Sequence, residues 1–250
     1  MDLDFLVAIP VFDEARYLIP VLDQVREYAR DILVIDDGSR DATPELLRQV
    51  PDIQVITHPE NRGYGKSLAD AFAFAMAGEA RWLITMDCDE QHEPACIPRF
   101  IQAAATEQAD IISGTRYPGG TGGNATAPAD RRAINATVTD LLNRRLGLRI
   151  TDAFCGFKAY RVASLARFQI TVPGYAMPMQ FWVQAVRAGL RIAELPVRLI
   201  YNDPTRHFGG MLDDPTVRLA HYLDVLDQEL AATGDLPGEC GRARVPCSLG

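Results

Sequence analysis

The chain has 250 residues, 48% of them hydrophobic, and a formal net charge of −8 at pH 7. That length and apolar content suit one large domain with a substantial core. An acidic chain is a poor match for a nucleic-acid backbone, so nucleic acid is not an expected partner.

Apolar runs bounded by turn residues alternate with helical periods along the chain. Leu3–Ile9, Ile32–Ile35, Ile53–Ile56, Trp82–Met86 and Ile111–Ser113 read as buried strands. Between them, Tyr17–Tyr28, Thr43–Gln49, Lys66–Ala77 and Pro94–Glu107 have helical spacing. A loop rich in Gly, Pro, Ala and Thr follows at Tyr117–Ala129, then helices at Ala129–Leu146 and Pro178–Ala188. A strand at Arg191–Leu199 and a helix at Pro215–Ala232 complete a domain over 1–232, and 233–250 read as a poorly ordered tail. Such alternation implies an α/β fold, a single-domain sandwich around a mostly parallel sheet, with its ligand crevice at the carboxyl ends of the strands.

Five cysteines without CxxC spacing suggest neither a zinc site nor a disulfide framework, and point to a reduced, cytoplasmic setting. The start, MDLDFLVAIP, lacks the positive charge of a signal peptide, and apolar stretches such as Ala71–Ala77 are shorter than the ~20 residues of a membrane span. Any work at a membrane is therefore expected from its cytoplasmic surface.

Three acidic clusters end three strands: Asp13-Glu14, Asp36-Asp37, and Asp87-Cys88-Asp89. A lone Asp after a strand often only caps the next helix. Three converging clusters repel one another unless a cation or ligand joins them. Asp87 and Asp89, alternate residues at a frayed strand end, can share one hard cation, Mg²⁺ or Mn²⁺, with Gln91 adding an oxygen. Asp13, Glu14, Asp36 and Asp37 suit the ribose hydroxyls or base N–H groups of a nucleotide. Asn61-Arg62-Gly63-Tyr64-Gly65-Lys66 opens a helix; its glycines and Lys66 could admit a diphosphate, or form an ordinary turn with a solvated lysine.

With these residues in hand, the chain resembles glycosyltransferase family 2, of GT-A (Rossmann-like) fold, and within it the dolichol-phosphate and polyprenyl-phosphate mannose synthases. The likeness runs from Phe5 to Gly210 through IPVFDE, VIDDGSRDAT, NRGYGKSL, MDCDEQH, SGTRY and the stretch Asp152–Arg161. The resemblance implies that Pro10, Asp13, Glu14, Asp36 and Asp37 hold the nucleoside, and that Asp87, Asp89 and Gln91 hold the metal and the donor diphosphate. It implies that Arg116 and Arg131 bind an acceptor phosphate or close over the donor. The chain departs from the family at Gln180, where a Glu is usual, and at Asn202–Gly210, which lacks a Lys; Arg206 and His207 could supply that cation.

The expected activity is inverting, metal-dependent transfer of a hexose, mannose from GDP-mannose, onto a polyprenyl or dolichyl phosphate. The alternatives are UDP-glucose as donor, a hydroxyl acceptor, or a non-catalytic nucleotide-binding relative. A sugar-phosphate nucleotidyltransferase would carry a Gly-rich basic loop where Val11–Glu14 stands. The Ile134, Val138, Leu141 and Leu142 stripe, flanked by arginines, reads either as a core face or as an interfacial face against lipid headgroups. His92 could touch the donor or pack; His58, His221, Trp82 and Trp182 are expected to be structural.

Overall fold

The computed structural model describes residues 4–89, 92–119, 128–198, 200 and 210–232. Gln91, Arg206, His207 and the tail 233–250 lie outside the described residues. The strands are β1 (Phe5–Val11), β2 (Ile32–Asp36), β3 (Gln54–Thr57), β4 (Trp82–Thr85), β5 (Ile111–Thr115), β6 (Lys158–Arg161) and β7 (Ile192–Pro196). The helices are α1 (Leu18–Arg26), α2 (Thr43–Gln49), α3 (Tyr64–Ala77), α4 (Ile97–Ala105), α5 (Ala129–Leu146), α6 (Val162–Leu165), α7 (Met177–Arg187) and α8 (Pro215–Ala232).

Strands β2, β4 and β5 are buried at every position, as strands covered on both faces must be. All seven strands form one sheet in the order β3-β2-β1-β4-β6-β5-β7, with β6 alone antiparallel to its neighbours. Alternation along β1 sends Leu6 and Ala8 into one core and Val7, Ile9 and Val11 into the other. The first core receives Phe72 of α3, Val138 of α5, Trp182 of α7 and Tyr222 of α8. The second receives Leu22 of α1 and Phe100 of α4. The result is the expected α/β/α sandwich around a mostly parallel sheet.

Three expectations change. β3 is an edge strand with an exposed pattern, not a buried one. The helix expected over Pro94–Glu107 begins as a 3-10 turn at Pro94–Cys96 and becomes α-helical from Ile97, where Pro98 fits because a first-turn N–H has no intrahelical partner. The α5 stripe is core: Ile134, Val138 and Leu142 are buried, and Leu141 packs against them. That face is spent on α7 and α8 and is not offered to a lipid surface. Among the described residues no helix is long and apolar enough to cross a membrane.

Candidate active site

β1, β2 and β4 are parallel neighbours, with Val11 paired to Asp36 and Ala8 to Thr85, so their carboxyl ends open on one side. β6 runs the other way and begins at Lys158, opposite Thr85 and Ser113. The segment 152–157 therefore crosses the same ends, and a cleft of about 690 Å³ lies there.

Pro10, Glu14 and Asp37 line the β1–β2 side of the cleft. Asp37 is buried, and its carboxylate accepts the N–H groups of Arg62 and Gly63, each at 2.8 Å. Asp36 accepts the N–H of Ser39 through Oδ1 at 2.9 Å; its Oδ2 is buried with no hydrogen-bond partner among the described residues.

Asp13, Asp36 and Lys66, expected on the nucleotide side, do not line the cleft. Asp13 sits in the left-handed region, and its Oδ1 accepts the N–H groups of Arg40 and Asp41, bracing the turn after β2. Asp36 lies one residue behind the wall that Asp37 forms. Lys66 pairs with Asp70, the i,i+4 neighbour on α3. The glycines of the same motif serve the protein's own backbone: a Cβ at Gly63 would lie 2.5 Å from the Pro173 oxygen, and one at Gly65 2.2 Å from that of Val172.

Asp87 and Asp89 both line the cleft. Burial pushes the Asp87 carboxyl above its ordinary value and the charge of Asp89 adds to that, while His92, Arg116 and the Tyr64 hydroxyl pull the other way. Room for Asp87 exists because residue 156 is glycine: a Cβ there would lie 2.4 Å from Oδ2 and 2.7 Å from Oδ1. His92 is buried behind Asp87, its Nδ1 3.8 Å from Oδ2 and its Nε2 3.5 Å from the Cys155 sulfur. Burial alone would lower the His92 imidazolium; Cys155, Asp87 and Asp89 outweigh it and push it up to about 9. His92 thus buttresses the aspartate.

This pair fits a divalent cation. Two carboxylates share a wall and one is held above its ordinary value, a mismatch a cation removes. No three His, Cys, Asp or Glu converge into a cage among the described residues. A hard ion needs only one or two carboxylates and completes its shell with phosphate oxygens and water.

Opposite the acidic side stand arginines among apolar groups. Arg116 is bidentate to the fully buried Asp152, Nε to Oδ2 at 2.7 Å and Nη2 to Oδ1 at 2.9 Å. Asn135 also donates to Asp152 Oδ1, at 2.8 Å. Burial opposes the Asp152 charge, but Arg116 and these donors hold the carboxyl well below the usual carboxylate range. Glu194 of β7 accepts the N–H groups of Thr151 and Asp152, fixing the loop that carries the pair. Arg131 lines the cleft from the first turn of α5. Arg218 of α8, 3% exposed, lines it too and donates to Asp130 Oδ2 at 2.7 Å and to the Leu212 carbonyl at 2.8 Å. Phe154 packs on Tyr222 with ring centroids 4.9 Å apart, and Tyr175 stacks on Tyr64 at 6.0 Å.

Several of these groups escape a reading of the sequence. Arg218, His221 and Tyr222 line the cleft from α8, where helical spacing gives no sign of it. Asp152 stands 36 residues from Arg116, and nothing local marks the pair. His221, expected to be structural, is on the cleft wall, whereas Trp82 and Trp182 are core as expected. Chemically, the cleft offers carboxylates, including the Asp87–Asp89 pair, and arginines set in aromatic surface.

A family model, Glycosyl transferase family 2, matches residues 6–168. The chain is 27% identical over 229 residues to an undecaprenyl-phosphate mannosyltransferase of Micrococcus luteus, covering 87% of this chain and 93% of the relative. It is 29% identical over 203 residues to a polyprenol monophosphomannose synthase of Mycolicibacterium smegmatis, covering 77% and 76%. Among solved structures it is similar to mannosyl-3-phosphoglycerate synthase from Rubrobacter xylanophilus, with TM-score 0.63, 15% identity, and 94% and 78% of the two chains covered. It is also similar to S. aureus TarS 1–349 in complex with UDP-GlcNAc, with TM-score 0.60, 17% identity, and 94% and 68% covered. At those identities the structures show the shared GT-A fold alone.

Proposed function

We propose, from the premise that this chain belongs to glycosyl transferase family 2 and is a glycosyltransferase, that it moves mannose from GDP-mannose onto a polyprenyl phosphate with inversion at the anomeric carbon. One observation carries the acceptor half of this reading: Arg116, Arg131 and Arg218 line the cleft together with Phe154, Tyr175 and Tyr222. That surface suits a ligand with an anionic head and an apolar body. The names of the two mannosyltransferase relatives support the same class.

In this reading Glu14 and the turn that Asp37 clamps orient the nucleoside, and Asp87 and Asp89 would hold Mg²⁺ or Mn²⁺. The ion, when bound, supplies Lewis-acid stabilisation to the departing diphosphate. A phosphate acceptor is already anionic, so the chain needs no general base; its arginines steer and hold the nucleophilic oxygen. Arg116 can do so without moving, because Asp152 fixes its guanidinium plane on one edge. The departing nucleoside diphosphate leaves as the new sugar–phosphate bond forms on the opposite face of the sugar.

Gln180, the family departure, does not line the cleft. Its Oε1 accepts the N–H groups of Thr171 and Val172, and its Nε2 donates to Glu229 at 2.7 Å. It braces the loop that carries Tyr175 and leaves the proposed chemistry intact.

The test is a screen of GDP-mannose, UDP-glucose and related donors with undecaprenyl phosphate and Mn²⁺, following radiolabel into organic solvent. GDP-mannose should label the lipid, and Asp89→Ala should lower the signal to blank. Blank-level counts with every donor would end the lipid-acceptor reading. Equal thermal stabilisation of the wild type and Asp89→Ala by GDP and Mn²⁺ would end the metal role.

A further inference from the structure

We propose that His58 is a positioning residue for the nucleotide end of the cleft, acting through Asp37 and anchored from behind by Asp70 and Lys66. The inference rests on the donor site proposed above. His58 is 6% exposed and does not reach the cleft. Its Nδ1 lies 2.6 Å from Asp37 Oδ1, and its Nε2 lies 2.8 Å from Asp70 Oδ2. The other Asp70 oxygen accepts from the Lys66 ammonium. A continuous chain, Lys66–Asp70–His58–Asp37, thus runs from the partly exposed face of α3 to the wall of the cleft.

Ionised carboxylates offer acceptors only. Each ring nitrogen of His58 faces one such carboxylate at hydrogen-bonding distance. Burial would raise the Asp70 carboxyl, but the hydrogen bonds from Lys66 and His58 outweigh it and hold it below its ordinary value. That shift agrees with two donors converging on Asp70.

Asp37 is the element this chain aims. It receives His58 and the N–H of Arg62 on Oδ1, and the N–H of Gly63 on Oδ2. With three donors already present, Asp37 serves as a clamp on the 60–63 turn more than as a free acceptor for a nucleotide. The turn lies tightly on the strand end, since a Cβ at Gly38 would stand 2.4 Å from the Glu60 carbonyl carbon. Asn61, Gly63 and Tyr64 carry the clamped turn into the cleft, and the Tyr64 hydroxyl reaches Asp87. Loosening His58 would therefore displace donor-contacting groups first, since Arg116 and Arg218 are held separately by Asp152 and Asp130. It also gives Lys66 a role other than holding phosphate.

The experiment uses the full chain, with GDP and UDP each titrated by calorimetry in the presence of Mn²⁺. Asp70→Asn keeps shape at a partly exposed site, so folding is retained; His58→Phe removes both ring nitrogens. The nucleotide that binds the wild type should bind Asp70→Asn about three- to tenfold more weakly, and His58→Phe at least about tenfold more weakly. Donor KM should rise while acceptor KM stays, a split that general destabilisation does not produce. The sequence holds four histidines, so ¹⁵N-histidine spectra of the wild type and His58→Phe identify the ring, whose signals should shift in Asp70→Asn. Wild-type affinity in both variants, or a His58 spectrum unchanged by Asp70→Asn, would overturn the proposal. If neither nucleotide binds the wild type, the donor-site reading falls, and with it His58's part in donor binding; the spectrum still decides the hydrogen-bonded chain.

Discussion

Replacing Gly156 by alanine isolates the space around Asp87 as the variable that sets activity. The backbone at Gly156 is not in the left-handed region, so alanine meets no conformational barrier. Its Cβ would stand 2.4 Å from Asp87 Oδ2, 2.7 Å from Oδ1 and 2.9 Å from Cγ. An ordinary contact begins near 3.4 Å, so the shortfall is about 1 Å. The glycine cannot easily retreat, because its carbonyl accepts the Thr85 hydroxyl at 2.8 Å and Thr85 is fully buried in β4. The carboxylate is the softer partner, at 31% side-chain exposure, and should swing aside. Because the side chain yields, the global cost should stay within ~1–2 kcal/mol, the lower part of the overpacking range. Misplacing a reacting group by ~1 Å costs ~100-fold in rate, or ~2.7 kcal/mol of barrier. The assay is kcat/KM for transfer to undecaprenyl phosphate at saturating Mn²⁺, alongside urea unfolding. A Gly156→Ala protein that unfolds like the wild type yet keeps kcat/KM within about threefold would refute the placement of Asp87 at the centre of the chemistry.

Asp152→Asn leaves Arg116 in the cleft wall without its ion-pair partner and should cost ~3–5 kcal/mol in urea unfolding; a loss under ~1 kcal/mol would contradict the pairing. The sign of its pH dependence follows from the direction of the shift. Arg116 outweighs burial and lowers the Asp152 carboxyl, so its stabilisation is fully present above the unfolded value of ~3.9 and fades as pH falls below it. The wild type should lose that increment below about pH 4, while Asp152→Asn shows a flatter acid limb. Gln180→Glu sets a carboxylate against Glu229 and should cost ~1–3 kcal/mol, about 3–8 °C in Tm, and an unchanged Tm would argue that the bond from Gln180 to Glu229 contributes nothing. Stripping divalent ions with EDTA should abolish transfer and remove the thermal gain from GDP, while leaving the Tm of the nucleotide-free protein within about 1 °C; retained transfer would contradict a metal-dependent reaction.

The sheet was legible because β1, β2, β4 and β5 are apolar runs closed by turn residues, the pattern of strands buried on both faces. β6 was not: Lys158-Ala159-Tyr160-Arg161 has charged ends, and only the pairing of Lys158 with Thr85 and Ser113 makes it a strand. The acidic clusters were correctly read as strand ends, but residue type alone could not say which side chains face the cleft. Asp13 turns away because of its left-handed backbone, and Asp37 is largely occupied by His58, Arg62 and Gly63. For Lys66 a local signal did exist, since Asp70 at i+4 is a natural partner on a helix. The α5 stripe illustrates the opposite difficulty. A helix face that meets lipid and one that meets α7 and α8 have the same periodicity, and only the packing of Val138 and Leu142 distinguishes them.

The two sides of the cleft have different origins in the chain. Pro10, Glu14, Asp37, Asp87, Asp89 and Arg116 fall within the matched family region, 6–168, at or just beyond strand ends, and Arg131 falls within it on the first turn of α5. Tyr175, Leu212, Arg218, His221 and Tyr222 fall beyond it, on α8 and on the segments before α7 and α8. Strand ends in one sheet are held in mutual register by their ladders, so groups there can be altered little without disturbing the whole sheet. A helix packed against the sheet's cover lies outside that ladder register, although Arg218 and Tyr222 are themselves buried. On α8, Arg218 ties the wall to Asp130, the chain neighbour of Arg131.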